Sequence, residues 1–164
     1  MTEKPKYRIV EMKLDRYREL LDFWQHIEGL WLSDDDSYEN LQTYFKRNPK
    51  LSFIALHDNS IIGTIKCGHD GRRGYLHHLA VKREFRKAGI AQALIDKCLT
   101  NLDKSGITKD KVRVFVLDSN KAALTFWKHV GFAEQDYDYR TFQMRPPVEP
   151  KLNEQIINIK EEKK

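Results

Sequence analysis

The side chains most able to do chemistry lie in one continuous stretch, Tyr75-Leu76-His77-His78-Leu79-Ala80-Val81 followed by Lys82-Arg83-Glu84-Phe85-Arg86-Lys87-Ala88-Gly89-Ile90-Ala91. Histidine titrates near neutrality without help, so a histidine here could take a proton from an attacking nucleophile. Strand alternation puts Tyr75, His77, Leu79 and Val81 on one face and Leu76, His78 and Ala80 on the other, so the two histidines cannot both face one site. His77 is the candidate base; either histidine is equally readable as a packed, hydrogen-bonded sheet residue. The loop that follows sets Lys82, Arg83, Arg86 and Lys87 against Glu84, a local charge of +3. Gly89 and Ala91 flank Ile90 where a helix begins, and small residues there let backbone N–H groups approach an anion, with a dipole contribution of ~0.3–2 kcal/mol. A solvated strand-to-helix connection has the same composition, so spacing favours a phosphate site without deciding it.

Two other groupings carry weaker signals. Trp31 precedes Asp34, Asp35 and Asp36, a set that could attract a cationic amine by charge and ring face, or could simply be a solvated loop whose last acid starts a helix. Asp70-Gly71-Arg72-Arg73-Gly74 reads as a turn whose arginines could orient an anionic acceptor. Cys67 and Cys98 sit in apolar surroundings without CxxC spacing, which points to buried free thiols in a reducing compartment, and no metal is expected.

The elements that must position these groups are legible in the periodicity. Strands are expected over 7–12, 51–57, 61–67, 75–81, 112–117 and 137–144, the second, third and fourth joined by Asp58-Asn59-Ser60 and by the turn after His69. Helices are expected over 15–28, 37–47, 90–104 and 120–130, the first from the stripe Tyr17, Leu20, Leu21, Trp24 and Ile27, the second capped by Asp36 or Ser37. The order predicts an α/β (α+β) fold, a mostly antiparallel sheet of six to seven strands with helices on both faces.

The chain has 164 residues, 40% of them hydrophobic and 32% charged, which suits one globular domain, expected over 1–145. Residues 146–164 read as a Pro-rich and then charged appendage. Apolar runs are too short for a membrane span and the start of the chain lacks the form of a secretory signal, so a cytoplasmic protein without a membrane partner is expected. The net charge of +5 is concentrated in the loop described above rather than interleaved with aromatics, so nucleic acid is not the expected partner.

Arg86-Lys87-Ala88-Gly89-Ile90-Ala91, placed after Tyr75-Leu76-His77-His78-Leu79-Ala80-Val81, resembles motif A of the GNAT superfamily of acetyl-CoA-dependent N-acetyltransferases, whose Q/RxxGxG/A loop cradles the pyrophosphate of coenzyme A. The segment from Asp118 through Asn120, Ala122, Ala123, Phe126 and Trp127 to Gly131-Phe132 resembles motif B of the same family, at the family's separation. The resemblance covers nearly the whole chain apart from the tail. It implies that Leu79 and Val81 offer backbone hydrogen bonds to pantetheine, that Arg86, Lys87, Ala88, Gly89, Ile90 and Ala91 surround the pyrophosphate, and that Asn120 and Phe126 line the cofactor's far side.

On the catalytic side the resemblance implies that His77 occupies a substrate-side position and that Tyr75 stands where other members carry a glutamate base. It also implies transfer of acetyl from acetyl-CoA, as co-substrate, directly to a primary amine in a ternary complex, the acceptor being a small molecule, a peptide or a protein. Homodimers are common in the family. One departure is Trp127, where the family often has the tyrosine that protonates the leaving thiolate. An indole cannot act as an acid, so the alternative expectation is a coenzyme A-binding protein of reduced activity with a regulatory or interaction role.

Overall fold

The computed structural model describes residues 5–135 and Phe142, and these fall into two compact units, one up to Phe115 and one from Val116 onward. In the first unit the order is β1 (Arg8–Glu11), α1 (Tyr17–Gln25), α2 (Tyr38–Arg47), β2 (Phe53–His57), β3 (Ser60–His69), β4 (Gly74–Val81), α3 (Ile90–Lys104) and β5 (Val112–Val114), with short 3-10 turns between. The second unit holds α4 (Lys121–His129). The sheet has the spatial order β1-β2-β3-β4-β5, antiparallel throughout except for the parallel pair of β4 and β5. Five strands are present among the described residues rather than six to seven. The strand expected over 137–144 lies outside the described residues, apart from Phe142.

The β2–β3 hairpin closes through Asp58 and Asn59, both at positive φ (47° and 64°), as a two-residue turn matched to strand twist requires. Arg16 bonds the Asn59 side chain at 2.6 Å and its carbonyl at 2.9 Å, while Glu19 accepts from Ile61 N at 2.9 Å. The start of α1 is thereby tied to the hairpin. At the other end of the meander, Asp70 Oδ1 accepts the N–H groups of Arg72 (2.8 Å) and Arg73 (2.7 Å), building the β3–β4 turn from one carboxylate.

β3 carries the core on both faces. A Cβ at Gly63 would meet Ile90 and Leu94 of α3, whereas one at Gly68 would meet Tyr44 and Asn48 at α2 and its C-terminal cap. Alternation then directs Gly63, Ile65 and Cys67 toward α3, and Thr64, Lys66 and Gly68 toward α1 and α2. On the first face Ile90, Leu94, Ile95, Cys98 and Leu102 of α3 are buried. On the second, Leu20, Leu21 and Trp24 of α1 and Leu41 of α2 close the layer, with Trp24 Nε1 donating to Thr64 Oγ1 at 3.0 Å. Cys98 Sγ lies 3.2 Å from Leu51 O, and burial, then the neighbouring Cys67, pushes its thiol well above the usual range. Both cysteines are structural.

The candidate active site

β4 does not alternate as expected. Thr64 pairs with Ala80 and Lys66 with His77, a step of two residues on β3 against three on β4, so β4 carries one extra residue. The bulge falls at His78, whose φ of 50° lies in the left-handed region that a non-glycine residue enters only at a cost. Directly paired residues share a face, so His77 stands beside Lys66 on the α1/α2 side. His78 reaches the same side, its Nε2 2.8 Å from Asp36 Oδ1. Val81 pairs with Gly63 and points toward α3 instead. The bulge thus corrects the period-two expectation: His77 and His78 share a face, and Val81 leaves it.

The two histidines meet a cluster that sequence reasoning missed. Asp36 is 1% exposed, and its Oδ1 accepts from Lys66 Nζ at 2.7 Å, Lys66 itself being 7% exposed. Asp36 Oδ2 accepts from Ser33 N at 3.3 Å and closes the capping box of the 3-10 turn Asp34–Asp36. Tyr17 donates to the Asp36 carbonyl at 3.1 Å, and Trp24 meets the His78 ring edge-on at 4.9 Å. Burial alone would raise the Asp36 carboxyl, but His78 and Lys66 outweigh it and bring it down to about 2. Asp36 is therefore a buried anchor, not one of three solvated acids. Ser37, its neighbour, caps α2 by accepting from Asn40 N. The signal available in the sequence was Lys66, a lone cation in an otherwise apolar strand.

His77 is half-buried, and its ring lies nearly parallel to Tyr75, 6.4 Å away at 19°. Burial, then the charge of Lys66, then His78 lower its imidazole to about 4 against the opposing pull of Asp36 and Asp35. It is neutral at physiological pH, able to accept a proton but with little hold on it. The Tyr75 hydroxyl donates to Asp70 Oδ2 at 3.3 Å and is thereby engaged at the hairpin. Trp31, by contrast, is 80% exposed.

Leu79, Val81, Arg86, Lys87, Ala88, Gly89, Ile90 and Ala91 form one strand, turn and helix start. Pairing between β4 and β5 stops at Leu76 and Val114, so beyond that point β4 has no strand partner on the β5 side among the described residues. Arg86 Nε donates to Val81 O at 3.1 Å, fixing the basic turn against the strand end. Gly89, at φ 83°, opens α3 with no capping side chain and no acidic residue in the first turn, and a Cβ there would meet nothing within 4 Å. An uncapped helix start with clear space above it and cations beside it fits a diphosphate.

Asn120 and Phe126 belong to the second unit. Asn120 Oδ1 accepts from Ala123 N at 3.0 Å, capping α4, and Trp127 packs edge-on against Phe126 and Phe132. Trp127 serves local packing there.

Residues 14–132 match the model of the Acetyltransferase (GNAT) family. The chain belongs to this family. It is an acyltransferase, and acetyl-CoA is its co-substrate. It is similar to an acetyltransferase of Yersinia pestis (strain Pestoides F), 27% identical over 124 residues that cover 74% of this chain and 84% of that one. Its fold is similar to that of a GNAT-family acetyltransferase from Staphylococcus aureus Mu50, with TM-score 0.71 and 20% identity over 88% of this chain and 94% of that one. The PaiA N-acetyltransferase of Thermoplasma acidophilum, solved in complex with coenzyme A, aligns with TM-score 0.68 and 20% identity over 81% of this chain and 93% of that one. No described helix is long and apolar enough to cross a membrane.

Proposed function

We propose that this GNAT acetyltransferase moves the acetyl group of acetyl-CoA directly onto a primary amine, both substrates being bound together, in the cytoplasm. The reading rests on one observation: the uncapped start of α3, the Arg86 turn and the edge of β4 that has no strand partner among the described residues follow directly along the chain from the strand that carries His77. The pyrophosphate would sit on the amides of Gly89, Ile90 and Ala91 beside Arg86 and Lys87. Pantetheine would extend along the free edge at Leu79 and Val81. Positioning supplies most of the acceleration in such a scheme.

The amine nitrogen attacks the thioester carbonyl, forming the C–N bond. His77 accepts the proton that the nitrogen sheds, and Tyr75, stacked on His77 and held by Asp70, fixes the ring plane. The C–S bond breaks, the carbonyl re-forms as an amide, and the thiolate takes a proton from solvent. The Cys67 and Cys98 thiols lie outside this path, and no acyl-enzyme is needed.

The test is thermal unfolding with acetyl-CoA, then thiol release with spermidine, phenethylamine, kanamycin and a short peptide with a free N-terminus. At ~100 times the dissociation constant, ligand adds ~2.7 kcal/mol, or roughly 5–10 °C for a chain of this size. Arg86→Glu is expected to lose that gain. No shift at millimolar acetyl-CoA overturns the reading.

A further inference from the structure

His78 has no role in the reaction above, yet it sits where a strained backbone puts it. Its φ of 50° is a conformation a non-glycine residue enters only at a cost, and it turns a second imidazole toward the face His77 already occupies. The side chain is received there by a buried carboxylate shared with Lys66, 2.8 Å from Nε2 and 2.7 Å from Nζ. A bare ring nitrogen at that distance from a carboxylate oxygen would set lone pair against lone pair, so Nε2 carries the hydrogen. It is not well aligned for a full hydrogen bond, and Nε2 has no other partner. Nδ1 is left as the proton-accepting atom.

We propose that His78, with Asp36 as its positioning residue, is the group on which the amine's proton comes to rest. The inference depends on the acetyltransferase reading and extends it by one proton transfer. His77, held neutral and weakly basic, takes the proton as the C–N bond forms and hands it through solvent to Nδ1 of His78, the neighbouring residue on the same face. The resulting imidazolium sets its Nε2–H 2.8 Å from the ionised Asp36 carboxylate, a charge pair that a small turn of the ring converts into a hydrogen bond. With His78 neutral, Lys66 and Asp36 cancel and the cluster carries no net charge; with the proton stored, it carries +1. On product release the proton returns to solvent, which has supplied one to the thiolate, so the cycle balances. The charged and titratable groups around His78 are Asp36 from the 3-10 turn, Lys66 from β3 and His77 from β4, while Asp35 acts on His77. Tyr17 and Trp24 of α1 and Tyr44 of α2 close the surroundings, Tyr17 on the Asp36 carbonyl and Tyr44 beneath Lys66.

Two measurements on the full chain decide it. Long-range 1H–15N imidazole spectra at pH 7.5, assigned through His78→Asn, should show His78 as the Nε2–H tautomer with a bare Nδ1, and Asp36→Asn should weaken that tautomer preference. A hydrogen on Nδ1, or a fully protonated ring at pH 7.5, overturns the proposal without reference to activity. For kinetics His78→Asn is the variant of choice, because asparagine tolerates the left-handed conformation and keeps the bulge. With the probe amine that turns over, kcat should fall about 100-fold or more while KM for acetyl-CoA is unchanged. Asp36→Asn should lower kcat less and shift the acid limb of the pH profile downward. An unchanged kcat and pH profile in His78→Asn overturns the proposal. Failure of the unaltered protein to gain stability from acetyl-CoA marks failure of the underlying reading instead.

Discussion

Lys66 and His77 stand directly opposite each other across β3 and β4, so an ammonium faces an imidazole on the same side of the sheet. Burial first, and then this ammonium, hold the imidazole at about 4 in the folded chain, against 6.5 for an exposed histidine. Between those values the unfolded chain binds the proton and the folded chain does not, so stability is full above pH 6.5 and falls as pH drops toward 4. Denaturant midpoints measured from pH 7.5 to 4 should show this slope. In His77→Gln the slope should be reduced across the same window, and an unchanged slope would assign the acid sensitivity to another group.

The Asp36 carboxyl, brought down to about 2 from 3.8, has a separate window. Its contribution is complete above about pH 4 and disappears as pH falls to 2, where the folded chain must give up the anion that Lys66 and His78 require. Acid unfolding followed by far-UV circular dichroism should steepen in that range, and Asp36→Asn should remove the steepening.

Breaking the buried pair from one side should cost more than removing it. Lys66→Met leaves Asp36 buried with only His78 against it, and a loss of about 3–5 kcal/mol is expected. In Asp36→Leu/Lys66→Met no charge is stranded, so the double variant should recover part of that loss. A double-mutant cycle from urea unfolding measures the coupling; additive losses would show that the two side chains act independently.

Gly68 is excluded from becoming alanine by space alone. A Cβ there would lie 2.5 Å from Tyr44 Oη and 2.8 Å from the Asn48 amide, whose Oδ1 holds the His69 N–H at 2.9 Å. Gly68→Ala should destabilise by about 1–3 kcal/mol through displaced α2 contacts, read as a lower urea midpoint with an unchanged m-value.

At Gly89 the constraint is the reverse: open space but a left-handed backbone. Gly89→Ala should cost about 1 kcal/mol in the free protein and, by placing a methyl over the α3 amides, abolish most of the stabilisation by acetyl-CoA. Thermal scans with and without ligand separate the two effects.

The helices and most strands were legible because their apolar positions repeat with the right period. The α3 stripe of Ile90, Leu94, Ile95, Cys98 and Leu102 defined its helix over 90–104, and Asp58-Asn59 announced its hairpin. The basic turn before α3 was legible as a turn leading into a helix, and as a candidate anion site, because charge and small residues are local in sequence. The histidine geometry was not, because a single inserted residue reverses every inference drawn from alternation, and nothing in Tyr75–Val81 marks where the insertion falls. Asp36, Lys66 and His78 are separated by 30 and 12 residues, and no local pattern links an acid read as a helix cap to a lysine inside a strand.

Trp24 is fully buried with its indole edge against His78, whereas Trp31 is open to water. A protonated imidazole takes an electron from an excited indole and quenches its emission, while a neutral one does so weakly. With Trp127 replaced by phenylalanine, the blue-shifted part of the fluorescence would therefore report the charge on one histidine, and a stopped-flow trace of that band during turnover would time the arrival and departure of a single proton without any added dye.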